Sequence, residues 1–249
     1  KMELVDWPLH KLVGTIQTTR LGGKSIPPYS SLNLGFHVGD NHETVLANHQ
    51  ILNEFLPAPA FWLDQVHSSE IIEVTHKVTH KVTELSLQQR PKADALFTRL
   101  KNQPLAIMTA DCLPILLASK DGQEVAAIHG GWRPLAGGII SKTIAKFSTP
   151  KSDLVAWLGP AIGPSAFEVG EDVIDAFTSV NPSHKDDFIE QENKKYLANI
   201  FSIAKRQLSD LGIAHIYSEY ECTYTLPEKY FSYRRDAQTG RLATLIWRK

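Results

Sequence analysis

The chain has 249 residues, 43% of them hydrophobic, so it is long enough to bury a substantial core and is expected to form one domain over residues 1–249. Its 26 Lys and Arg residues balance 27 Asp and Glu residues, which excludes the basic field needed to hold nucleic acid or an anionic membrane. A small-molecule ligand is therefore expected. The two cysteines, Cys112 and Cys222, are too few for a disulfide scaffold and predict a reducing, cytoplasmic location. No apolar run approaches the roughly 18 residues of a membrane span, and no leader-peptide pattern opens the chain.

The first predicted elements are a strand near Val13 and a turn-rich segment that continues through Gly39. Segments of this kind often carry function. Asp40 is the expected N-cap of a helix over residues 43–56, where apolar residues recur at helical spacing.

Two strands are predicted next, over residues 60–66 and 70–82. The second contains the repeat THKVTHKV, in which His76 and His80 share one side of a strand with the valines. On a helix these histidines could bind a metal. Thr and Val favour strand, however, so an extended hairpin arm is predicted instead.

Two dense apolar runs follow, over residues 105–119 and 124–132, and both have the composition of central strands covered on two faces. The remaining predicted elements are helices over 134–147, 171–180 and 199–212 and strands over 154–163, 215–220 and 243–247. Strands and helices mix without strict alternation. The predicted fold class is therefore α/β or α+β, with a mixed sheet flanked by helices.

The two apolar runs contain Cys112 and His129, and the Asp-Gly pair at 121–122 between them predicts a tight hairpin. A two-residue turn there sets Pro114 opposite His129 and Cys112 opposite Gly131, which makes Cys112 and His129 diagonal neighbours about 7 Å apart on one face. One extra loop residue would put them on opposite faces. Two interpretations stay open: half of a metal site, or a buried thiol beside a core histidine.

A third candidate ligand, His67, follows the predicted strand over 60–66, at a position from which it could reach a cleft. A His-Cys-His set suits zinc and leaves a fourth coordination position for water or substrate, which is typical of a catalytic site. The same donors could take copper, with Met108 as a weak axial ligand.

Nine segments of the chain, spread over nearly its whole length, resemble the YfiH-like polyphenol-oxidase or laccase-domain family, also called peptidoglycan editing factor. They are TTRLGG, PYSSLNLGFHVGD, QVHS, ADALFT, MTADCLPILLA, AAIHGGWRPLAGGII, LGPAIGPSAFEVG, CTY and FSYRRDAQTGRLATLIW. The resemblance implies a single α/β domain, compared in fold with a bacterial toxin deamidase, and a zinc ion bound by His67, Cys112 and His129. It also implies phosphorolysis of adenosine, inosine, guanosine and methylthioadenosine, and deamination of adenosine. The chain departs from the family pattern at Gly130, Pro134 and Asn199, where alanine, glycine and aspartate are usual.

Phosphorolysis needs an anion site for phosphate, and Arg20 with either Arg234 or Arg235 are the candidates because all three lie in glycine-bearing or polar turns. A surface salt bridge is the alternative role for each. Asn33 and Gln65 are candidates for hydrogen bonds to ribose or base, although both residue types also stabilise loops.

Asp111, beside Cys112, would point to the opposite face of a regular strand, where it could orient the site from behind or transfer a proton. Deamination would use a metal-activated water. The His-x-Glu and Pro-Cys-x-x-Cys signature of zinc nucleoside deaminases does not occur in the sequence.

Three other functions stay open. Cys112 could be a nucleophile activated by His129, in a hydrolase or amidase that acts on a cell-wall precursor. Copper-dependent oxidation of phenols is disfavoured because the sequence lacks clustered imidazoles. A zinc-stabilised interaction module is the non-enzymatic alternative, and loss of the fold on zinc removal would identify it.

Overall fold

The computed structural model describes residues 2–80, 82 and 87–249. The strands in these residues are β1 Met2–Glu3, β2 Val13–Thr18, β3 Ile71–Val74, β4 Ala95–Thr98, β5 Leu105–Thr109, β6 Leu113–Ser119, β7 Val125–Gly130, β8 Leu154–Leu158, β9 Glu168–Val169, β10 Phe188–Glu190, β11 Tyr196–Ala198, β12 His215–Ser218 and β13 Leu242–Arg248. The α-helices are α1 His42–Asn53, α2 Trp132–Ala136, α3 Ile139–Ile144, α4 Glu171–Thr178, α5 Ile200–Asp210 and α6 Tyr233–Asp236. Short 3-10 helices cover Lys151–Asp153, Pro182–Asp187 and Glu192–Lys194.

Two large sheets and one small sheet organise the described chain. The six-stranded sheet has the order β12-β8-β6-β7-β4-β3, parallel at its two outer pairs and antiparallel between them. The four-stranded sheet, β1-β2-β13-β5, is antiparallel, and β10-β11-β9 form the small antiparallel sheet. The predicted mixed α/β fold is confirmed, with three sheets in place of one.

The core is layered because the central strands are apolar on both sides. One face of the six-stranded sheet, including Phe97 and Ile115, packs against α2 to α5. The other face, including Leu116 and Trp157, packs against Leu105 of the four-stranded sheet. The far side of that second sheet packs with Leu52 of α1. Within the described residues, no helix has the length and apolar character to span a bilayer.

The predicted strand over 105–119 is two strands, and the break between them creates the site. β5 ends at Thr109 in the four-stranded sheet, whereas β6 begins at Leu113 in the six-stranded sheet. Asp111, between them, has a φ of 110°, a conformation that L-residues adopt rarely. The chain therefore changes sheets across residues 110–112, so the expectation that Asp111 lies in a regular strand is wrong.

The predicted hairpin register is confirmed. Pro114 faces His129, and Leu113 faces Gly130. The loop is longer than the predicted two residues, since Ser119 N donates to Glu124 O at 3.0 Å, but it stays centred on positions 121–122. Because the two extra loop residues are added one on each side of the turn, the pairing of β6 with β7 is unchanged.

Other boundaries differ from the predictions for local reasons. Asn41, not Asp40, caps α1 by accepting a hydrogen bond from Thr44 N at 3.0 Å. The predicted helix over 134–147 is split into α2 and α3, with Gly138 at φ 86°. The predicted strand over 60–66 is only a pair of isolated bridges.

The predicted hairpin arm over 70–82 is wrong. Only Ile71–Val74 is a strand, and it pairs in parallel with β4. Thr75 to His80 form no strand, and Lys81 lies outside the described residues. Residues 75–80 pair with no strand among the described residues, and a strand without a partner leaves its backbone unpaired, which overrides local β-propensity.

Candidate functional site

A cavity of about 590 Å³ lies where β5 leaves one sheet and β6 enters the other. This volume is in the range of small-molecule sites. Its lining is mostly apolar and aromatic, with a few polar and cationic groups: Phe36, His37, Leu63, Asp64, Gln65, His67, Leu87, Arg90, Met108, Thr109, Ala110, Asp111, Cys112, His129, Trp132, Ile162, Phe167, Ile200, Tyr233, Arg234 and Arg241.

His67, Cys112 and His129 meet at this cavity. Each offers one ligand atom, and the three atoms lie within 4.8 Å of one another. The rings of His67 and His129 are edge to face, with centroids 4.9 Å apart. His129 lies on β7, Cys112 directly precedes β6, and His67 lies in a loop at φ 59°. In the described part of the chain, this is the one such group of three or more His, Cys, Asp or Glu residues, so His76 and His80 belong to no cluster.

Asp94 holds two of these three residues in place, and the sequence interpretation missed it. Its carboxylate accepts hydrogen bonds from His129 Nδ1 at 2.7 Å and from His67 N at 3.0 Å. It also accepts from the backbone of Val66 and from the backbone and hydroxyl of Ser68. The bond to Nδ1 orients the imidazole so that its other nitrogen serves as the ligand atom, an arrangement typical of metal-binding histidines.

The electrostatics of the site favour a charged sulfur. Burial opposes ionisation of Cys112, but the charge and hydrogen bond of His129, helped by His67, lower the pKa of the thiol to about 6. Burial likewise opposes protonation of His129, but the Cys112 thiolate and Asp94 raise its pKa to about 9. Burial would raise the pKa of Asp94, yet its bonds to His129 and Ser68 hold it at about 2. A thiolate is the form of cysteine that binds metals and acts as a nucleophile.

Gly131 fits a metal site because it leaves room beside two of the donors. A Cβ at this position would lie 3.1 Å from His67 Cδ2 and 3.4 Å from Cys112 Sγ. The donor set, the carboxylate behind His129 and this open space together fit a metal ion bound by His67, Cys112 and His129.

Comparison with known proteins identifies the family of the chain. A family model described as "Multi-copper polyphenol oxidoreductase laccase" matches residues 14–249. The chain belongs to this laccase-domain family. It is 43% identical over 249 residues to "Purine nucleoside phosphorylase YfiH" of Shigella flexneri, covering 99% of this chain and 98% of that protein. It is 44% identical over 246 residues to a "Purine nucleoside phosphorylase" of Haemophilus influenzae, covering 97% of each.

Solved structures of this family have the same fold. Protein NMB0706 of Neisseria meningitidis superposes with a TM-score of 0.93 at 41% identity, covering 100% of this chain and 99% of that one. YlmD of Geobacillus stearothermophilus superposes with a TM-score of 0.92 at 30% identity, covering 100% and 96%. The laccase-domain fold therefore extends over the described chain.

Three of the residues selected from the sequence for substrate or proton roles line the cavity. Gln65 lines the cavity, and its side-chain amide donates to Met108 O and accepts from Met108 N. Asp111 accepts hydrogen bonds from Thr223 Oγ1 and Arg234 N, both at 2.7 Å. Burial raises the pKa of Asp111, although these hydrogen bonds act to lower it. Arg234 stacks over Phe167 and donates to Glu168 O.

The other three do not line the cavity. Arg20 donates to the carbonyls of Ser30 and Pro227 and stacks over Phe231. Arg235 is held by the carbonyls of Thr223, Tyr224 and Tyr230. Asn33 is fully buried, donates to Gly35 O and Asp40, and accepts from Arg241 N. All three join loops to one another.

Four charged or imidazole residues of the cavity lining were missed: His37, Asp64, Arg90 and Arg241. His37 lies in the motif GFHVGD and Arg241 in the motif TGRLATLIW. The position of Arg241 beside a glycine in a turn was the same signal that selected Arg20. Arg90 stands just before the ADALFT motif and carries no local signal. At Asn199, the amide caps α5 by accepting from Ser202 N at 3.1 Å, the role an aspartate would also fill.

Proposed function

We propose that this chain is a metal-dependent purine nucleoside phosphorylase, with residues 1–249 acting as one catalytic domain. The observation that carries the proposal is the His67, Cys112 and His129 donor set opening into an apolar cavity that also holds arginines. The names of the Shigella and Haemophilus relatives support the same reaction class. We extend it to adenosine, inosine, guanosine and methylthioadenosine as substrates.

In the proposed reaction, an oxygen of hydrogen phosphate forms a bond to the ribose C1′ while the bond from C1′ to the purine nitrogen breaks. The electron pair of the broken bond goes to the purine, and the proton of hydrogen phosphate balances it. The products are the free base and ribose 1-phosphate. The sugar becomes cationic in the transition state, so a nearby anion and a dry pocket lower the barrier.

The chain's own residues suit these tasks. Aromatic walls contributed by Phe36, Trp132 and Phe167 can stack on a purine and exclude water. Asp111, held by Thr223 and the backbone of Arg234, can position the loop that carries Arg234 or hold a proton. Arg234 lies beside Phe167 at the same cavity wall.

Zinc is the proposed metal, bound by His67, Cys112 and His129, with copper as the alternative. When bound, such an ion supplies a Lewis acid and lowers the pKa of a coordinated water. That chemistry would also serve deamination of adenosine, which we propose as a second activity of the same site. Met108 lines the cavity, as an axial ligand for copper would require.

The acidic thiol of Cys112 favours a second candidate, a Cys-His hydrolase or amidase acting on a peptidoglycan precursor. Here Cys112 would attack a carbonyl and His129 would transfer the proton. We rank it second because His67 completes a three-donor set that a thiol nucleophile does not need, whereas Asp94 would orient His129 in either reaction. Phenol oxidation with copper and a purely structural zinc module rank lower.

Both cysteines are free, and we propose a cytoplasmic location.

The test is to incubate metal-quantified protein with adenosine, with and without phosphate, and to separate the products by liquid chromatography. We expect adenine only with phosphate, inosine without it, and loss of both in Cys112→Ala. Cys222→Ser is the matched control, because Cys222 lies outside the cavity lining, where its sulfur accepts a hydrogen bond from Gly163 N. No product from zinc-loaded protein at high concentration would overturn the nucleoside proposal and make cell-wall peptides the next substrates.

A further inference from the structure

One end of the cavity is lined by the cationic or imidazole side chains of Arg90, Arg241 and His37, with the carboxylate of Asp64 in the same lining. Arg90 lies over the rings of Phe36 and Trp62, at 5.7 and 5.4 Å from their centroids. Its Nη2 is buried and has no hydrogen-bond partner among the residues that the structure describes. A buried guanidinium nitrogen without a partner is costly, so the site is suited to a ligand that would supply the missing acceptor.

Arg241 stands beside it in the same lining. Its Nη1 donates to the carbonyls of Thr239 and Gly240, which fixes the guanidinium on its own loop. The neighbouring loop approaches so closely that a Cβ on Gly35 would lie 2.8 Å from Arg241 Cγ. Asn33 closes this arrangement by accepting from both Gly35 N and Arg241 N at 2.9 Å. The loop that carries His37 is thereby held against Arg241.

The three side chains line the same cavity, and their charges affect one another. Burial lowers the pKa of His37, and the charges of Arg241 and Arg90 lower it further, so it is a neutral hydrogen-bond donor near pH 7. Burial lowers the pKa of Arg90 to about 10, with only Asp64 opposing among the described residues. Burial also lowers the pKa of Arg241, and the charge of Cys112 is the leading opposing influence. Arg241 and the metal donors His67, Cys112 and His129 line the same cavity.

Neither arginine forms a close ion pair with another of the described residues. Among the ion pairs of the described residues with N–O distances up to 4.0 Å, the arginines involved are Arg99, Arg206 and Arg235. Two guanidinium groups and an imidazole donor around one space match a tetrahedral oxyanion, which offers acceptors in several directions and a double charge.

We propose that Arg90, Arg241 and His37 form an oxyanion subsite next to the metal donors, which takes the phosphate dianion. The proposal rests on the proposed function and names its anion-binding residues. The same chemistry could be supplied by free phosphate or by the phosphate ester of a nucleotide. It replaces Arg20 and Arg235, which do not line the cavity.

The experiment measures binding of inorganic phosphate, and separately of adenosine 5′-monophosphate, to the full chain by calorimetry, with zinc and after its removal. Arg90→Gln removes the unpartnered guanidinium, and His37→Gln removes the imidazole. Arg133→Gln is the matched control, because that guanidinium stacks on Trp132 at 4.4 Å outside the cavity lining. We expect phosphate binding to persist without zinc, to weaken about tenfold or more in Arg90→Gln, and to stay unchanged in Arg133→Gln. The Tm of each variant shows whether its fold is retained.

The outcomes separate the subsite from the reaction. If adenosine 5′-monophosphate alone binds with this dependence on Arg90, the subsite holds and serves a nucleotide, and phosphorolysis loses its anion site. If phosphorolysis occurs but the KM for phosphate is unchanged in folded Arg90→Gln, the subsite is wrong and the proposed function stands. Phosphate binding that disappears with zinc, or that falls equally in Arg133→Gln, also overturns the subsite.

Discussion

Asp94 and His129 are joined by a 2.7 Å hydrogen bond from imidazole Nδ1 to a carboxylate that is fully buried. Asp94 directly precedes β4, which pairs with β7, the strand that carries His129, and His129 N also donates to Asp94 O at 2.7 Å. One buried carboxylate therefore sets the orientation of His129 and, through the backbone of residues 66–68, the loop of His67.

Asp94→Asn should weaken metal binding by about 10- to 100-fold, because an amide oxygen supports the histidine less well than a carboxylate. Zinc affinity measured by competition with a chromogenic chelator checks this. The matched control is Asp187→Asn, which disrupts a similar buried pair, His184 and Asp187, outside the cavity. Asp187→Asn should lower the free energy of unfolding and leave zinc affinity unchanged. Equal loss of affinity in the two variants would contradict the role given to Asp94.

Gly131→Ala should reduce metal affinity while the protein stays folded. The added methyl group would crowd His67 at 3.1 Å and Cys112 at 3.4 Å, so the donors must move by a few tenths of an ångström. Gly163→Ala is the control, since its Cβ would lie 3.2 Å from the sulfur of Cys222, away from the metal donors. Zinc stoichiometry and Tm are measured for both, and normal zinc content in Gly131→Ala would show that the space beside the donors has no role.

Chelation of the metal should abolish phosphorolysis and leave the fold intact. His129 and Cys112 are positioned by β6 and β7, whose side chains pack in two apolar cores that do not include the metal donors. Far-UV circular dichroism before and after chelation, followed by zinc re-addition, measures this directly. Unfolding on chelation would instead support the structural zinc module.

Stability should fall in mild acid because of His49, which lies apart from the metal donors. Burial, as the largest cause, lowers its pKa to about 3, although its Nε2 is bonded to Leu34 O at 2.8 Å. The unfolded chain takes up this proton near the ordinary pKa of about 6.5, whereas the folded chain does not. The stabilisation is therefore complete above pH 6.5 and is lost as the pH falls toward 3, by about 2 kcal/mol at pH 5.

Urea unfolding of the wild type and His49→Gln at pH 7 and pH 5 checks the linkage. Gln can still donate to Leu34 O but does not titrate. The loss of stability between the two pH values should be about 2 kcal/mol smaller in the variant. An identical pH dependence in the two proteins would contradict a neutral, buried His49.

The sequence by itself determined the pairing of Cys112 with His129. Apolar alternation and a turn centred on positions 121–122 are local properties, so they set the register and the shared face of these two side chains without knowledge of the rest of the fold. The helices at 171–180 and 199–212 were predictable for the same reason, because periodicity and caps lie within one segment.

Only the tertiary structure decided which residues surround that pair. Asp94 reaches His129 through pairing of β4 with β7, and Arg241 reaches His37 through a loop held by Asn33. The break at residues 110–112 arises because β5 and β6 belong to different sheets, a choice that depends on the strands available to pair with each. Arg235 and Arg241 lie in one sequence motif, yet only Arg241 lines the cavity, whereas Arg235 lies outside the lining and donates to Thr223 O. Contacts between segments distant in sequence depend on the packing of whole layers, and no local pattern contains that information.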